Sequence, residues 1–502
     1  MEILLCTFYT AFFIFLIYKI NFFSVEGLSR KNISAIFILK IFFGVALYLI
    51  YTFHYTNRST SDVYRYYDDG NILFSAFKNH PLDYLQMLTG IHSDASRLQI
   101  YYHQMSNWYK NYNYHLYNDN RTIIRFNALV SLFSFGYYQV HTVFICFLSL
   151  TGLTALYKTF VVYLKDKKRE LIFAVFLIPS VLFWGSGVLK EGLVLFAFGM
   201  LIFYFHEFIS GKKSAKIFFW IVGSVFYLLL LKVYILLAAM PALLANWWIA
   251  KSKNKFPTLK YGAVLLMFLC AASSVQFFFP KHNPYKLLAD KQHAFIASAR
   301  GGTYLISKTT HDTLFVDPVN VNKIITQQKT IFLKAKTPYQ NWTRGNICAP
   351  ILYAKNDTDS YLLLETDEAA NSRIYIQPLS PSLKSCVLNS PQAIVNCLFR
   401  PTLFESTSPL MLMTALENIF VFGIAILCLL FYKKPSLETR KMILFCFSFT
   451  LLLADIIGMV TPVLGAIVRY KVPLLPFLVI GFLLLLDKEK MLKKIPFLKK
   501  IL

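Results

Sequence analysis

Residues 60–70 hold the densest group of side chains with types suited to chemistry. The carboxylates of Asp62, Asp68 and Asp69 are interspersed with three tyrosines, and the stretch follows the second long apolar run of the chain. A carboxylate held at the edge of a membrane can meet water-soluble and lipid-linked groups together and act as a general base. Aromatic side chains also accumulate at membrane interfaces without a catalytic role, so a solvated loop beside the membrane is the alternative interpretation.

A second set of ionisable residues lies inside or beside later apolar runs. Such groups are costly in a membrane, and each is therefore a functional hypothesis. The set consists of Lys190, Glu191, Lys232, Glu405, Glu417, Asp455 and Arg469. Three of its members are predicted to be partners between helices: Lys232, Glu417 and Asp455.

Lys190 and Arg469 are the members of this set that best suit an anion. Lys190 follows a turn that contains Gly185 and Gly187, and it opens the next helix. A helix N-terminus with a lysine nearby favours anions. Arg469 opens the last apolar run, and its planar guanidinium suits phosphate better than the ammonium of Lys471. The plainer interpretations are a lysine that reaches back to water and an arginine that anchors a span at the interface.

The composition indicates a polytopic membrane protein. Of 502 residues, 56% are hydrophobic and only 15% are charged, whereas a soluble chain is about 45–50% apolar and about 25% charged. The net charge of +25 lies largely in short loops between apolar runs, as in cytoplasmic loops, so nucleic acid is excluded as the partner. The sequence has no Walker-type loop, HExxH or Gly-x-Ser-x-Gly motif, which excludes the pumps, zinc proteases and serine hydrolases built on them.

The apolar runs predict about eleven transmembrane helices, because a span needs about 20 mostly apolar residues. They lie near 3–20, 33–53, 138–163, 170–185, 190–208, 216–232, 233–250, 259–279, 409–432, 441–462 and 468–486. Assigning alternate loops to one side collects the basic clusters in the cytoplasm. We therefore expect a protein of the cytoplasmic (inner) membrane with its N-terminus outside and its C-terminus inside.

Two long polar segments are predicted on the outer side. Segment 54–121 has apolar residues near helical spacing and predicts one or two amphipathic helices at the membrane surface, with another helix at 120–135. Segment 281–400 has alternating runs at 330–335, 361–365 and 373–376, which predict a small β-rich domain, followed by a helix at 391–398. The chain then divides into an N-terminal transmembrane module (1–280), an extracytoplasmic β-rich domain (281–400) and a C-terminal transmembrane module (401–502). Any disulfide pairing stays open, because this domain has three cysteines: Cys348, Cys386 and Cys397.

The layout resembles the GT-C superfamily of integral membrane glycosyltransferases and the related polysaccharide polymerases of bacterial envelopes. The resemblance rests on an acidic Asp-x-x-x-Tyr/Asp-Asp stretch in the first outer loop, many spans, and a late Arg-Tyr-x-x-Pro-x-x-Pro that opens the last span. Segment 281–400 departs from it, because it precedes the last three spans and is not matched to a domain of the superfamily.

The resemblance implies a polyprenyl-linked sugar as donor and a carboxylate of the first outer loop as base or metal ligand. The implied catalytic carboxylates are Asp62 first and then Asp68 and Asp69, the last two being candidate ligands for Mg²⁺ or Mn²⁺. The implied substrate- and phosphate-binding residues are Arg65, Tyr66, Lys190, Arg400 and Arg469. We expect Asp62 and these cations to share one pocket at the outward rim of the bilayer.

The leading hypothesis is a glycosyltransferase or polysaccharide polymerase. It would take a sugar from a polyprenyl-(di)phosphate and pass it to a glycan or lipid acceptor by an inverting displacement. One alternative is a flippase or transporter of lipid-linked glycan, in which the buried charges line a path and inverted repeats or broken spans are expected. The other is a non-catalytic envelope assembly protein whose outer domain binds a partner.

Overall fold

The structure is a computed structural model that describes residues 1–502 apart from 56–57, 59–60, 110–116, 253–254, 309–312, 328–329, 342–350, 355–359 and 498–502. These residues form mostly helices and one antiparallel sheet. The helices of the first half are α1 (Glu2–Lys19), α2 (Arg30–Phe53), α3 (Asp62–Asn79), α4 (Pro81–Thr89), α5 (Gln99–Tyr102), α6 (Asn120–Ser134), α7 (Tyr138–Phe160), α8 (Lys168–Ile172), α9 (Pro179–Trp184), α10 (Lys190–Ile209) and α11 (Ala215–Lys251). Those of the second half are α12 (Pro257–Phe278), α13 (Pro284–Arg300), α14 (Leu383–Phe399), α15 (Pro409–Leu430), α16 (Leu437–Val460), α17 (Leu464–Tyr470), α18 (Leu475–Leu485) and α19 (Lys488–Lys494).

Nine helical stretches of the described residues are long and apolar enough to cross a membrane. They are α1, α2, α7, α10, α11, α12, α15, α16 and the stretch Leu464–Leu485, which combines α17 and α18. They make the chain a polytopic helical membrane protein, as its composition predicts. One hydrophobic core contains residues from Phe13 to Met491 and joins the first of these helices to the last.

The run predicted as a span at 170–185 is not a single helix. α8 ends at Ile172, a π-helical turn covers Phe173–Leu177, and α9 begins at Pro179. Ile178 is extended between them, because a proline disfavours the helical conformation of the residue before it and lacks the N–H that a continuing helix needs. Irregular backbone therefore lies within the helical bundle at this segment.

α11 is interrupted at Lys232, where the two runs predicted at 216–232 and 233–250 meet. The backbone of Lys232 (φ −155°, ψ 83°) is not helical. Lys232 contacts Glu191 in the first turn of α10, whereas Trp220 stacks on Tyr204 near the other end of α10. The first half of α11 therefore runs antiparallel to α10, and the interruption lies beside the start of α10.

Within the described residues, the sheet has seven antiparallel strands in the order β3-β4-β7-β1-β2-β5-β6. The strands are β1 (Gly302–Ser307), β2 (Thr313–Val316), β3 (Ile324–Gln327), β4 (Thr330–Leu333), β5 (Pro338–Asn341), β6 (Ile351–Tyr353) and β7 (Ser360–Asp367). A small core of its own, which includes Leu305, Val316 and Ile331, is separate from the core of the membrane helices. The strands predicted at 330–335 and 361–365 are β4 and β7.

The prediction of a strand at 373–376 is wrong. Only Arg373 forms an isolated bridge, with Val463, and the N–H of Ile374 donates to the carbonyl of Pro462 at 2.8 Å. The alternating residues there belong to an extended segment. This segment lies against the membrane helices and does not join the sheet. The helices predicted in 54–121, at 120–135 and at 391–398 are present as α3, α4, α6 and α14.

This return segment, residues 368–382, fixes the exit of the sheet beside α17. The carbonyl of Ser372 accepts from the N–H of Leu464 at 2.9 Å, and its Oγ accepts from the N–H of Gly465 at 3.2 Å. α14 then packs on α16 so closely that a Cβ added to Gly458 would lie 1.9 Å from the carbonyl oxygen of Ala393. The polar insert and the membrane helices are thus joined next to the helix that carries Arg469.

The cysteines of the insert form no disulfide within the described residues. Cys386 and Cys397 are free and buried, and Cys348 lies outside the described residues. Burial raises the pKa of the Cys397 thiol to about 12, so it stays protonated and unreactive at neutral pH.

Candidate functional site

The charges of four helices meet in one connected cluster. Arg469, in the last turn of α17, donates from Nη1 to Oδ2 of Asp62 at 2.8 Å and from Nε to Oε1 of Glu191 at 2.8 Å. Lys232, at the interruption of α11, donates to the same oxygen of Glu191 at 2.7 Å. Asp62 and Arg469, predicted to share a pocket, are therefore in direct contact although 407 positions separate them in the sequence.

The two carboxylates on Arg469 differ in exposure. The side chain of Glu191 is completely buried, whereas that of Asp62 is 36% exposed. Burying a charged pair costs several kcal/mol per ion and is tolerated only when each charge keeps its partners. Glu191 is therefore the fixed counter-ion of the cluster, and Asp62 is the one that solvent or a ligand can reach.

Lys190 forms a second part of the cluster at the first residue of α10. Its Nζ donates to Oδ2 of Asp119 at 2.6 Å and to Oδ1 of Asn120 at 2.5 Å, and it lies 5.2 Å from the centre of the Tyr66 ring. The hydroxyl of Tyr66 also donates to Oδ1 of Asn120, at 3.3 Å. Burial holds the pKa of Tyr66 well above its ordinary value. Its hydroxyl therefore stays protonated at neutral pH and acts as a hydrogen-bond donor.

The backbone around this cluster is set by close helix contacts. Lys40 of α2 is fully buried and donates from Nζ to the carbonyl of Gly185 at 3.1 Å, in the turn that precedes Lys190. One helical turn further along α2, a Cβ on Gly44 would lie 2.6 Å from the carbonyl oxygen of Ser186. Only glycine permits this approach, and α2 therefore holds the turn that positions Lys190 and Glu191.

Asp68 and Asp69 lie on α3 but make contacts of other kinds. Asp68 accepts two hydrogen bonds from Arg58, at 3.0 and 2.5 Å. Asp69 is buried and accepts from the backbone N–H groups of Ser106 and Asn107, both at 2.8 Å. Burial raises the pKa of Asp69, although these two N–H groups act in the opposite direction. Asp69 thus ties the following loop to α3.

The arrangement of Asp68 and Asp69 does not fit a shared metal site. The oxygens of the first are engaged with Arg58, and those of the second with backbone N–H groups. No group of three His, Cys, Asp or Glu side chains in the described part of the chain is disposed to hold a metal ion.

Arg65 and Arg400 make their hydrogen bonds with groups outside the Asp62–Arg469 contact. Arg65 donates from Nη2 to the carbonyl of Ser106 at 3.1 Å. Arg400 donates from Nε to Oε1 of Glu405 at 2.7 Å, and the buried Lys471 donates to the carbonyl of Arg400 at 3.4 Å. Arg469 and Lys471 are two residues apart but have different partners. Arg469 contacts Asp62 and Glu191, whereas Lys471 contacts the carbonyl of Arg400.

A cavity of about 540 Å³ adjoins the cluster. Its wall includes Tyr51 and Trp184 from the membrane helices, Ser372 from the return segment, and Val468, which directly precedes Arg469. Tyr51 is close enough to Asp62 and Arg469 for their charges to act on its hydroxyl. The volume lies within the range of about 300–1,000 Å³ typical of small-molecule sites.

A second, apolar cavity of about 330 Å³ lies between the interrupted segment before α9 and the middle of α15. Pro179, Met413 and Phe420 are among its lining residues. Glu417 is the one charged residue that the described part of the chain contributes to the lining; it is buried, and its Oε2 accepts from the N–H of Ser180 at 2.7 Å. Both cavities use α15 as a wall, because Leu410 and Met411 line the larger one.

Sequence reasoning left Glu191 and Asp119 out of the site set. Glu191 was one of the ionisable residues noted in apolar runs. Nothing in its spacing indicates that its carboxylate binds two cations, Arg469 and Lys232. Asp119 directly precedes the predicted helix 120–135, where an acidic residue is common for helix stability alone. Both gain their importance from contacts with residues distant in the sequence.

Comparisons of the chain with protein-family models, with curated proteins and with solved structures found no significant match.

Proposed function

We propose that this protein is a membrane glycosyltransferase or polysaccharide polymerase that uses a polyprenyl-(di)phosphate-linked sugar on the outer face of the cytoplasmic membrane. The observation that carries the proposal is the contact between Asp62 and Arg469 beside a cavity of about 540 Å³. It combines an accessible carboxylate, a guanidinium suited to phosphate and room for a substrate.

The unequal burial of the two carboxylates on Arg469 gives the cluster a way to bind phosphate. Glu191 is buried and cannot leave, whereas Asp62 is exposed. An incoming phosphate takes the place of Asp62 on Arg469, because both anions fit the same guanidinium edge. Phosphate binding therefore releases the Asp62 carboxylate next to the sugar that the phosphate carries.

The released carboxylate then acts as a general base. Asp62 accepts the proton of an acceptor hydroxyl, the hydroxyl oxygen bonds to the anomeric carbon, and the bond from that carbon to the phosphate oxygen breaks. The electron pair of that bond leaves with the lipid (di)phosphate, and Arg469 stabilises the negative charge that develops there. The sugar is transferred with inversion at the anomeric carbon.

The apolar cavity beside α15 suits the hydrocarbon chain of such a donor. Its lining is apolar except for Glu417, and its wall helix α15 also lines the larger cavity near Arg469. A chain held there in contact with the membrane lipid would bring its phosphate towards the cluster.

The first prediction concerns Asp62→Asn, with Asp68→Asn as the matched control from the same helix. We expect Asp62→Asn to lower glycan product in the host by about 10²–10⁴-fold, the usual contribution of a general base. The same change should strengthen binding of undecaprenyl phosphate in native mass spectrometry, because a competing charge leaves Arg469. Asp68→Asn should alter neither. Normal product from Asp62→Asn in a correctly inserted protein would contradict the proposal.

The helix interruptions favour a flippase or transporter of lipid-linked glycan as the second candidate. Transporters often break their spans where a substrate binds, and this chain has the extended Ile178 and the non-helical Lys232. A transporter would move lipid-linked glycan across proteoliposomes and form no new glycosidic bond. If the protein is a transporter, Asp62→Asn would change the rate at which lipid-linked glycan crosses the membrane, and neither the parent nor the variant would form a glycosidic bond.

A further inference from the structure

The wall of the 540 Å³ cavity is built by two parts of the chain. α2, α9, α15 and α17 form the membrane side, and Asn371 and Ser372 of the return segment form the other side. Ser372 is held in place by the N–H groups of Leu464 and Gly465. The insert that contains the sheet therefore contributes directly to the cavity beside Arg469.

Among the described residues, the lining of this cavity carries no Asp, Glu, Lys or Arg side chain, although three carboxylates and three cations lie in the adjoining cluster. It presents aromatic rings instead. Tyr51 and Tyr55 have their ring centres 5.2 Å apart, and the ring of His54 meets that of Tyr55 at 4.7 Å. A neutral ligand with flat apolar faces fits these rings.

Three residues of the lining carry hydrogen-bond donors: Trp184, Ser372 and Ser408. Trp184 is 4% exposed, and its indole Nε1 has no hydrogen-bond partner among the described residues. The Oγ atoms of Ser372 and Ser408 each accept from a backbone N–H, those of Gly465 and Met411, which leaves each hydroxyl proton to donate. A buried donor without a partner is costly, so a ligand rich in acceptor oxygens is the complementary occupant.

We propose that this cavity binds one neutral saccharide unit, with its hydroxyl oxygens on Trp184, Ser372 and Ser408 and its ring face on the tyrosines. Its role as the acceptor subsite rests on the proposed function, whereas the binding itself does not. The charged cluster takes the phosphate of the donor, and the uncharged cavity takes the sugar that receives the transfer. The return segment of the insert is then a specificity element, because Asn371 and Ser372 contact the acceptor.

The test is saturation-transfer NMR on the full chain in lipid nanodiscs. The probes are the methyl glycosides of glucose, galactose, N-acetylglucosamine and rhamnose, with methyl glucuronide as the charged comparison. We expect at least one neutral glycoside to receive saturation and the glucuronide to receive little. Absence of transfer to all four neutral probes, or equal transfer to the glucuronide, would overturn the proposal.

Two variants assign the signal to the cavity. Trp184→Phe removes the donor and keeps a ring, and it should weaken binding by about 10-fold, as expected for one lost hydrogen bond of about 1.4 kcal/mol. Asn371→Trp fills the cavity from an exposed position and should abolish binding without disturbing the fold. Trp248→Phe changes a tryptophan that is 42% exposed and outside the cavity, and it should have no effect. Unchanged binding in Asn371→Trp would refute the site.

The outcome separates this proposal from the enzymatic one. Saccharide binding that Asn371→Trp abolishes upholds the cavity site even if Asp62→Asn leaves product formation intact. Conversely, a protein that forms product through Asp62 but shows no saccharide binding in the cavity keeps the proposed function and loses this inference.

Discussion

Glu191 is the residue on which most of the buried charge of the cluster depends. Its Oε1 accepts from both Arg469 and Lys232, and its side chain has no exposed surface. A carboxylate shared by two cations satisfies both with one buried anion. The orientation of Arg469 towards Asp62 is therefore set by a residue that no substrate can reach.

Replacing Glu191 should destabilise the protein more than replacing Lys232. Glu191→Gln removes the buried anion from Lys232 and leaves Arg469 paired with Asp62 alone, and loss of a buried partner costs about 3–5 kcal/mol. Lys232→Met leaves Glu191 paired with Arg469 and should cost less. SDS-induced unfolding of the two variants, and of the double variant, would measure this order. A larger loss from Lys232→Met would show that the lysine, and not Glu191, organises the cluster.

At the residue scale, the sequence points to some members of the cluster and misses others, and exposure does not separate the two groups, because Lys190 is buried whereas Asp119 is 31% exposed. Asp62, Lys190 and Arg469 were predicted because each stands at the end of an apolar run, where polar chemistry is expected. Glu191 is marked in the sequence only as one of several ionisable residues in apolar runs, and Asp119 has ordinary local surroundings. Their roles come from contacts with residues 41 to 278 positions away, which no short pattern encodes.

α7 and α10 cross closely, with glycine on both helices. A Cβ on Gly199 of α10 would lie 2.0 Å from the carbonyl oxygen of Gly152 of α7, and one on Gly152 would lie 2.2 Å from that of Leu195. Small residues permit such approaches between membrane helices. The two glycines thus fix the position of α10, whose first residues are Lys190 and Glu191.

Gly199→Ala should push α7 and α10 apart. The added methyl meets backbone that cannot move locally, and overpacking of this kind costs about 1–3 kcal/mol. Gly223→Ala in α11 is the matched control, because nothing lies within 4 Å of its added Cβ; it should be neutral or stabilising by about 0.5–1 kcal/mol. Unfolding of both variants in the same detergent would test this. Equal stability of the two would mean that the crossing relaxes freely.

At the element scale, hydropathy predicts where most helices lie but not how their backbones are interrupted. The runs at 3–20, 33–53 and 409–432 correspond to α1, α2 and α15. The run at 170–185 has the same apolar character, yet Pro179 and the π-helical turn before it divide the segment. The prediction of a strand at 373–376 was wrong for a related reason. Alternation of apolar and polar residues shows which side of a segment is buried, but it does not show which part of the protein buries it.

The sheet is attached to the rest of the molecule as a separate unit. Gly302 and Asp367, its first and last residues, are partners in the β1–β7 ladder, and the N–H of Ala370 donates to the carbonyl of Ala299 at 3.0 Å. Its entry and exit therefore lie side by side. The sheet also has its own core, so its removal leaves no hole among the membrane helices.

Deletion of 302–367, with a short glycine linker, should leave the membrane helices folded. We expect a monodisperse protein whose unfolding temperature stays within a few degrees of the parent. Gln292→Ala is the contrasting change: Gln292 is buried and bonds to Gln377, Leu379 and Met459, so its loss should loosen the return segment. Size-exclusion chromatography and thermal unfolding would compare the two. Aggregation of the deletion variant would mean that the sheet supports the helices.

The sequence separations within the cluster impose an order on its biosynthesis. Asp62 is synthesised 407 residues before Arg469, and Glu191 is synthesised 278 residues before it. Lys232 follows Glu191 after only 41 residues and can shield it while the ribosome makes the rest of the chain. A nascent chain halted before α17 would carry the early carboxylates into the bilayer without their arginine. The cluster is therefore complete only after α17 has been made.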